Sequence, residues 1–256
     1  MPDSATITFY DIASLLEDKA WSPNTWKIRY ALNIKGIPYQ TVWLDHPDIE
    51  PELKKLGIGP TLHGIRKELR YTLPAIVDPS TGVAIADSRK IAEYLDTQYP
   101  DTPRLFPDGT RALQTAVADT LLDQLLNAIF PVVAAVNAGL LLPRGRHFYR
   151  STREEWVGMT LEELAPEGER RDELMKRVLH VLDRLDHSLT NGGGTVFMCG
   201  DAAAPSFADV GIAANLVWIK RVLGRESREW ATVEQTNGGR WAKFVQAFSS
   251  WEVVPR

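Results

Sequence analysis

Two hydrophobic periods alternate along the first hundred residues. TITFY (6–10) and PYQTVWL (38–44) are runs of strand length, rich in β-branched and aromatic residues. Between them, WSPNTWKIRYALNIKG (21–36) carries Ile28, Ala31 and Leu32 at the i, i+3, i+4 spacing of a buried helical face. Pro23 suits the first helical position, where a missing N–H costs nothing, and Gly36 suits the stop. Strand, helix, strand predicts a parallel pair joined by a crossover helix. HPDIEPELKKLGIGP (46–60) keeps neither period and reads as a loop-rich connector. TLPAIVDPSTGVAIADS (72–88) is two short apolar runs about a turn at Pro79–Gly82, a hairpin. Asp87 or Ser88 then caps a helix, RKIAEYLDTQYP, with Ile91, Tyr94 and Leu95 on one face.

The pattern changes after DTPRLFPDGT (101–110), whose Pro, Gly, Asp and Thr mark a linker. No convincing strand follows. Helical patterns run at about 111–142, 152–163, 168–190, 207–223 and 240–249. The expected class is α+β: a β-α-β / β-β-α unit over 1–100, a linker over 101–110, and an all-helical unit over 111–256.

Composition narrows the class of function. With 256 residues, 44% hydrophobic and 24% charged, the chain can bury a sizeable core. A net charge of −4 gives no basic field for nucleic acid or anionic lipid. Cys199 is the one cysteine, so no internal disulfide forms, which fits a reducing compartment. The N-terminal residues lack a basic-then-apolar signal pattern, and a cytoplasmic location is expected. The most apolar stretch, from Leu121 to Leu142, holds Asp123, Gln124, Asn127, Pro131 and Asn137. It reads as a buried helix kinked at Pro131 rather than a membrane span.

Ser22 carries the first chemical question. A serine before Pro23 is an ordinary helix N-cap. It also stands where a hydroxyl and a helix N-terminus together favour an anion. Ser206 and Asp209 have the spacing of a capping box. His180 and His187 lie seven apart with no further ligand at metal spacing, so no metal site is expected. NGGG (191–194) lacks the strand and the Lys-Ser or Lys-Thr of a phosphate loop. Trp241, Phe244 and Phe248 read as core, and Lys35 as a solvated charge at a helix end.

Four stretches, in order, resemble the soluble glutathione transferases. SPNTWKIRYALNIKG (22–36) is similar to that family's Ser-Pro-x-x-x-Arg/Lys-Val-Arg-x-Ala-Leu-x-x-Lys-Gly signature. TLPAIVD (72–78) is similar to its Val-Pro-Ala-Leu segment, ADSRKIAEYLD (86–96) to its Glu-Ser-x-Ala-Ile-x-x-Tyr-Leu segment, and GDAAAPSFADVGIAA (200–214) to its Gly-Asp-x-x-Ser-x-Ala-Asp segment. The extended first loop and long helical part look most like the fungal, etherase-related members. The resemblance implies a thioredoxin-like glutathione-binding domain and a helical domain.

It implies a serine-type enzyme with glutathione as co-substrate and no metal. Ser22 is then the catalytic serine, donating its hydroxyl to the glutathione sulfur. A free thiol with a pKa of about 8.5 is only about 3% thiolate at pH 7, so lowering that pKa makes the nucleophile. Serine in place of cysteine argues against mixed-disulfide chemistry. Asn24 is a second donor to sulfur. Ser88 would take the γ-glutamyl carboxylate and Asp87 its ammonium, Asp standing where Glu is usual. Thr72, Leu73 and Pro74 would bind the cysteinyl part, through a cis Leu73–Pro74 peptide and the Leu73 main chain. IGPTLHGIRKELRYT (58–72) is longer and more basic than the corresponding family segment, and offers His63, Arg66 and Lys67 to the glycyl carboxylate. The second substrate would be a small hydrophobic electrophile or a peroxide, in a pocket between residues 12–21 and the helix from Ile129 to Leu142. A two-fold homodimer is implied as well. The alternative is a ligandin-type binding protein for hydrophobic aromatic compounds with little catalysis.

Overall fold

The computed structural model describes residues 6–62, 68–200 and 204–255. Strand β1 (Ile7–Ile12), helix α1 (Pro23–Lys35) and strand β2 (Tyr39–Leu44) form the crossover unit, and β1 and β2 pair in parallel from Ile7↔Tyr39 to Ile12↔Leu44. A single 3-10 turn (His46–Asp48) and α2 (Ile49–Lys55) follow, then a short hairpin of β3 (Thr61–Leu62) and β4 (Leu69–Arg70). Strands β5 (Ala75–Asp78) and β6 (Val83–Ala86) complete a four-stranded sheet in the order β2-β1-β5-β6, antiparallel at β1/β5 and β5/β6. Helix α3 (Ser88–Gln98) closes this unit.

Helix α1 is buried on nearly every face, because it lies between the sheet, α3 and the helical part of the chain. That explains an arginine inside it. Arg29 pairs with Asp11 of β1 at 2.7 Å, both side chains fully buried, and its guanidinium lies over the Phe9 and Trp43 rings at 5.0 and 5.2 Å. Removing one member of such a pair strands a buried charge, a loss of about 3–5 kcal/mol. Lys35, expected to be a solvated helix-end charge, is buried: it pairs with Asp96 at 2.8 Å and donates to the Pro103 carbonyl at 3.0 Å. Asp96 also accepts from the Leu105 and Phe106 N–H groups, so residues 103–106 are pinned between α1 and α3.

The helical part begins as a continuous helix from Arg111 to Gly139: α4 (Arg111–Val117), one π-helical turn (Ala118–Leu122) and α5 (Asp123–Gly139). Its irregularity is that π turn. Pro131, expected to kink the helix, sits inside α5 without ending it. By length and composition this helix could cross a membrane, yet Leu125, Ile129, Val132 and Val133 are buried where it packs on α8 (Glu169–Asn191) and α9 (Phe207–Leu223). Between α5 and α8 lie α6 (Pro143–Val157) and α7 (Leu161–Leu164). Helix α10 (Arg228–Ala247) bends at Thr236–Gly239, where Asn237, Gly238 and Gly239 have positive φ. Its second half buries Trp241 and Phe244, which with Phe248 just beyond its end form an aromatic core, as the sequence predicts. No strand occurs among the described residues after β6.

Three segments depart from expectation. Residues 46–55 are helical, because Pro47 and Pro51 both fall in first turns, where proline is tolerated. The second helix of the helical part spans 143–157, not 152–163, with Pro143 at its first position and Gly158 in the left-handed conformation at its end. Helix α10 carries an unpredicted first segment from Arg228, under a Ser227 cap that accepts from Trp230 N–H at 3.2 Å; the non-helical residues Thr236–Gly239 separate it from the second segment, which starts at 240 as predicted.

Candidate functional site

Sheet register gathers three chain segments at one edge. Tyr10, Ala75 and Ala86 sit in one row across β1, β5 and β6. Pro74 therefore precedes that row, Asp87 follows it, and β1 runs two residues past it into the loop that ends at Ser22. Helix α3 packs on α1, so both helix N-termini belong to this edge.

Ser22 occupies the N-cap position of α1, with φ −69° and ψ 128°, and is only 4% exposed. Its carbonyl accepts from Trp26 N–H at 3.0 Å and from the Thr25 hydroxyl at 3.1 Å. Its own hydroxyl makes no cap hydrogen bond. The capping reading thus fails for the side chain while the position holds for the backbone. Asn24, in the same first turn, accepts from Lys27 Nζ at 3.1 Å through Oδ1, and its Nδ2 donor group has no partner among the described residues.

The loop before Ser22 is held at several points. Ser14 Oγ donates to the Lys19 carbonyl at 2.9 Å, and Leu15 N–H to the Leu140 carbonyl at 2.8 Å. Arg221 of α9 grips Asp18 at 2.7 and 2.9 Å and the Ala20 carbonyl at 3.2 Å, with its guanidinium 4.6 Å over the Trp26 ring. Residues 12–21 and the end of α5, expected to flank a second-substrate pocket, are tied together at one point by the Leu15–Leu140 bond.

Leu73–Pro74 is cis, and both residues are buried. Neither the N–H nor the C=O of Leu73 has a hydrogen-bond partner among the described residues. The Thr72 hydroxyl shares a 2.7 Å hydrogen bond with Thr61 across the foot of the β3–β4 hairpin. Asp87 is the helix cap: its Oδ1 accepts from Arg89 N–H and Lys90 N–H, each at 3.0 Å, at a φ of 83°. Its other carboxylate oxygen accepts no hydrogen bond among the described residues. Ser88 is the first residue of α3, and its hydroxyl has no partner among the described residues. His63, Arg66 and Lys67 lie outside the described residues.

Electrostatics distinguish the two ends of this edge. Near Asp87, Arg89 pairs with Asp119 of the π turn at 2.9 Å. Lys27 is half-buried; burial lowers its ammonium pKa, opposed by Asp123 and Asp87. Lys27 was not singled out in the sequence; only its i+3 spacing from Asn24 points to it. At the other end, His46 is buried against Trp21, Tyr149 and Phe148, with Nδ1 unpartnered. Burial pushes its pKa down to about 3, and Arg153 adds to that. Arg153 likewise went unnoticed, although Tyr149, Arg153 and Trp156 have the i, i+4, i+7 spacing of one helical face.

Comparison with known proteins matches residues 21–98 to the N-terminal domain of glutathione S-transferases and residues 112–251 to their C-terminal domain. The chain is 31% identical over 267 aligned residues to the glutathione S-transferase-like protein ustS of Aspergillus flavus, covering 97% of this chain and 92% of that one. The chain belongs to the glutathione transferase family. Two solved structures are similar to this transferase throughout. The glutathione S-transferase CsGST63524 of Ceriporiopsis subvermispora, solved in complex with glutathione, is 41% identical, with a TM-score of 0.92 over 98% of this chain and 99% of that chain. Glutathione transferase GSTFuA3 of Phanerochaete chrysosporium is 40% identical, with a TM-score of 0.90 over the same shares. The transferase is an enzyme with glutathione as its co-substrate, and its fold is the family's thioredoxin-like unit followed by a helical one.

Proposed function

We propose that this transferase is of the serine type, most like the fungal etherase-related class, and that Ser22 activates glutathione. The observation that carries the reading is a buried hydroxyl at a helix N-terminus that caps nothing. In this reading the glutathione thiol loses its proton to solvent, and the Ser22 O–H donates to the resulting sulfur anion. The N-terminus of α1 adds positive potential. Asn24 Nδ2 is a second donor. Lowering a thiol pKa by two units takes about 2.7 kcal/mol of differential stabilisation. The thiolate then attacks an electrophilic carbon of a small hydrophobic, aromatic compound and displaces its leaving group, or attacks a peroxide oxygen, breaking the O–O bond, releasing the alcohol and leaving a glutathione sulfenic acid that a second glutathione converts to the disulfide and water.

The rest of the tripeptide follows the free groups. The Leu73 N–H and C=O pair with the cysteinyl unit as an added antiparallel strand, flanked by Thr72 and Pro74. The γ-glutamyl carboxylate sits on the Ser88 hydroxyl and N–H at the start of α3, and its ammonium faces Asp87. We assign residues 1–100 to the glutathione-binding domain, 101–110 to the linker and 111–256 to the helical domain. A cytosolic homodimer completes the proposal.

Calorimetry tests the binding half. Ser88→Ala should weaken glutathione by one charge-assisted hydrogen bond, about 1.5–3 kcal/mol; an unchanged affinity removes Ser88 from the site. Turnover with a panel of aromatic electrophiles and an organic hydroperoxide tests the chemistry, and light scattering at micromolar concentration tests the dimer.

A further inference from the structure

The reading above leaves one end of glutathione unassigned. An antiparallel strand added at Leu73 has its γ-glutamyl end towards Ala75, beside Asp87 and Ser88, and its glycyl end back towards Thr72, Tyr71 and Arg70. At about 3.3–3.6 Å per extended residue, the glycyl carboxylate comes level with the last residues before Thr72. A carboxylate recognised there calls for a cation.

Most arginines and lysines near this face already hold a carboxylate: Arg144 pairs with Asp48, Arg150 with Glu154 and Glu162, and Lys54 with Glu50. Arg153 does not. Among the described residues no carboxylate lies within ion-pair distance of it, and its one hydrogen bond is to the neighbouring Thr152 hydroxyl. Its guanidinium lies 4.4 Å from the Tyr149 ring centre and 4.5 Å from that of Trp156. Arg70, at the end of β4, lies 5.3 Å from the same Trp156 ring and, among the described residues, pairs with the Glu68 carboxylate alone, at 2.7 Å. Among the described residues, two guanidinium groups lie on one indole and one carboxylate, that of Glu68, pairs with them, so positive charge is in excess there. Burial and the Arg70 charge both disfavour the charged form of Arg153. Ring stacking holds the plane of a guanidinium and leaves its N–H edge free for a bidentate contact.

We propose that Arg153 of the helical domain, with Arg70 beside it, binds the glycyl carboxylate of glutathione. The assignment rests on glutathione lying along Leu73 as argued above. It makes α6 part of the glutathione site, so that a helical-domain side chain recognises the end of the tripeptide farthest from α3.

The test is a calorimetric cycle with two ligands, glutathione and γ-glutamylcysteine, which lacks the glycine. The proteins are the wild type, Arg153→Gln and Arg70→Gln, with a melting curve for each to verify folding. Loss of a charge-assisted bidentate contact should weaken glutathione about ten- to hundred-fold in Arg153→Gln. Binding of γ-glutamylcysteine should stay within about two-fold, and Arg70→Gln should show the same pattern at smaller size. Equal weakening of both ligands, or no weakening of glutathione, overturns the assignment. A carboxylated electrophile whose KM rises in Arg153→Gln, with glutathione unchanged, also overturns it and places the second substrate's anion there. A wild type that binds neither ligand defeats the underlying reading of the Leu73 groove instead.

Discussion

The Gly145 N–H donates to the Asp45 carboxylate at 3.1 Å, and a methyl group at 145 would stand 1.9 Å from Asp45 Oδ1. Asp45 closes the end of β2 and also accepts from His46 N–H at 2.9 Å. The contact thus seats α6 on the thioredoxin-like unit. In an ordinary helix, Gly→Ala is stabilising by up to about 1 kcal/mol. Here the sign should reverse. Gly145→Ala must push Asp45 aside and break a hydrogen bond to a charged group, a cost of about 1.5–3 kcal/mol. Urea denaturation of the variant, showing a lowered midpoint at unchanged slope, checks it.

His46 beside this contact makes stability depend on pH. Its folded pKa of about 3 lies below the unfolded value of about 6.5, so the unfolded state binds the proton first. The neutral ring stabilises the fold fully above about pH 6.5, and that contribution is lost as pH falls towards 3. At pH 5 the linked loss is about 2 kcal/mol relative to pH 7. His46→Gln should remove this part of the pH dependence. Unfolding curves of both proteins at pH 7 and pH 5 measure the difference, and parallel losses would contradict it.

Asp209 organises the start of α9. Its Oδ2 accepts from Ser206 N–H at 2.8 Å and from the Ser206 hydroxyl at 2.6 Å, while Oδ1 accepts from Met198 N–H at 2.8 Å. Ser206 returns the bond to Asp209 N–H, completing the reciprocal box predicted from the spacing. Ser206→Ala should cost about 0.5–2 kcal/mol. Asp209→Ala also strands the Met198 N–H and should cost about 3 kcal/mol or more. Thermal melts of the two variants should rank in that order.

The fold was legible where one period ran unbroken. β1, α1, β2 and the β5–β6 hairpin announce themselves by strand-length apolar runs or a helical stripe, and the Ser206–Asp209 box is local by nature. The segments that escaped share a cause: proline or glycine at positions that carry two meanings. Pro47 and Pro51 lie in a stretch that keeps neither period, yet both fall in first turns, and the non-helical residues Thr236–Gly239 set off the Arg228 segment that the pattern missed. Lys35 and Arg153 show the limit for charged residues. A lysine or arginine on a helix is solvated by default, and only the fold brings Asp96 to one and the Tyr149 and Trp156 rings to the other. The candidate site was legible in its thioredoxin-like part because its residues cluster at helix starts. Its helical-domain side was not, since α6 contacts Asp45 and Asp48 from a hundred residues away.

Ser22 decides between two outcomes that the structure separates. A capping serine replaced by alanine costs about 0.5–2 kcal/mol of stability. The Ser22 hydroxyl caps nothing, so Ser22→Ala should leave the melting point nearly unchanged. Its effect should appear in the bound thiol instead. Loss of the hydroxyl donor should raise the pKa of enzyme-bound glutathione by at least one unit, about 1.4 kcal/mol. Below that pKa the thiolate fraction, and with it turnover, falls about ten-fold per unit. Part of the loss should return at higher pH, where glutathione ionises unaided. Titrating thiolate absorbance in the wild-type and Ser22→Ala complexes measures the shift directly. A lowered melting point with an unmoved thiol pKa would return Ser22 to a structural role and leave sulfur activation to Asn24 and the N-terminus of α1.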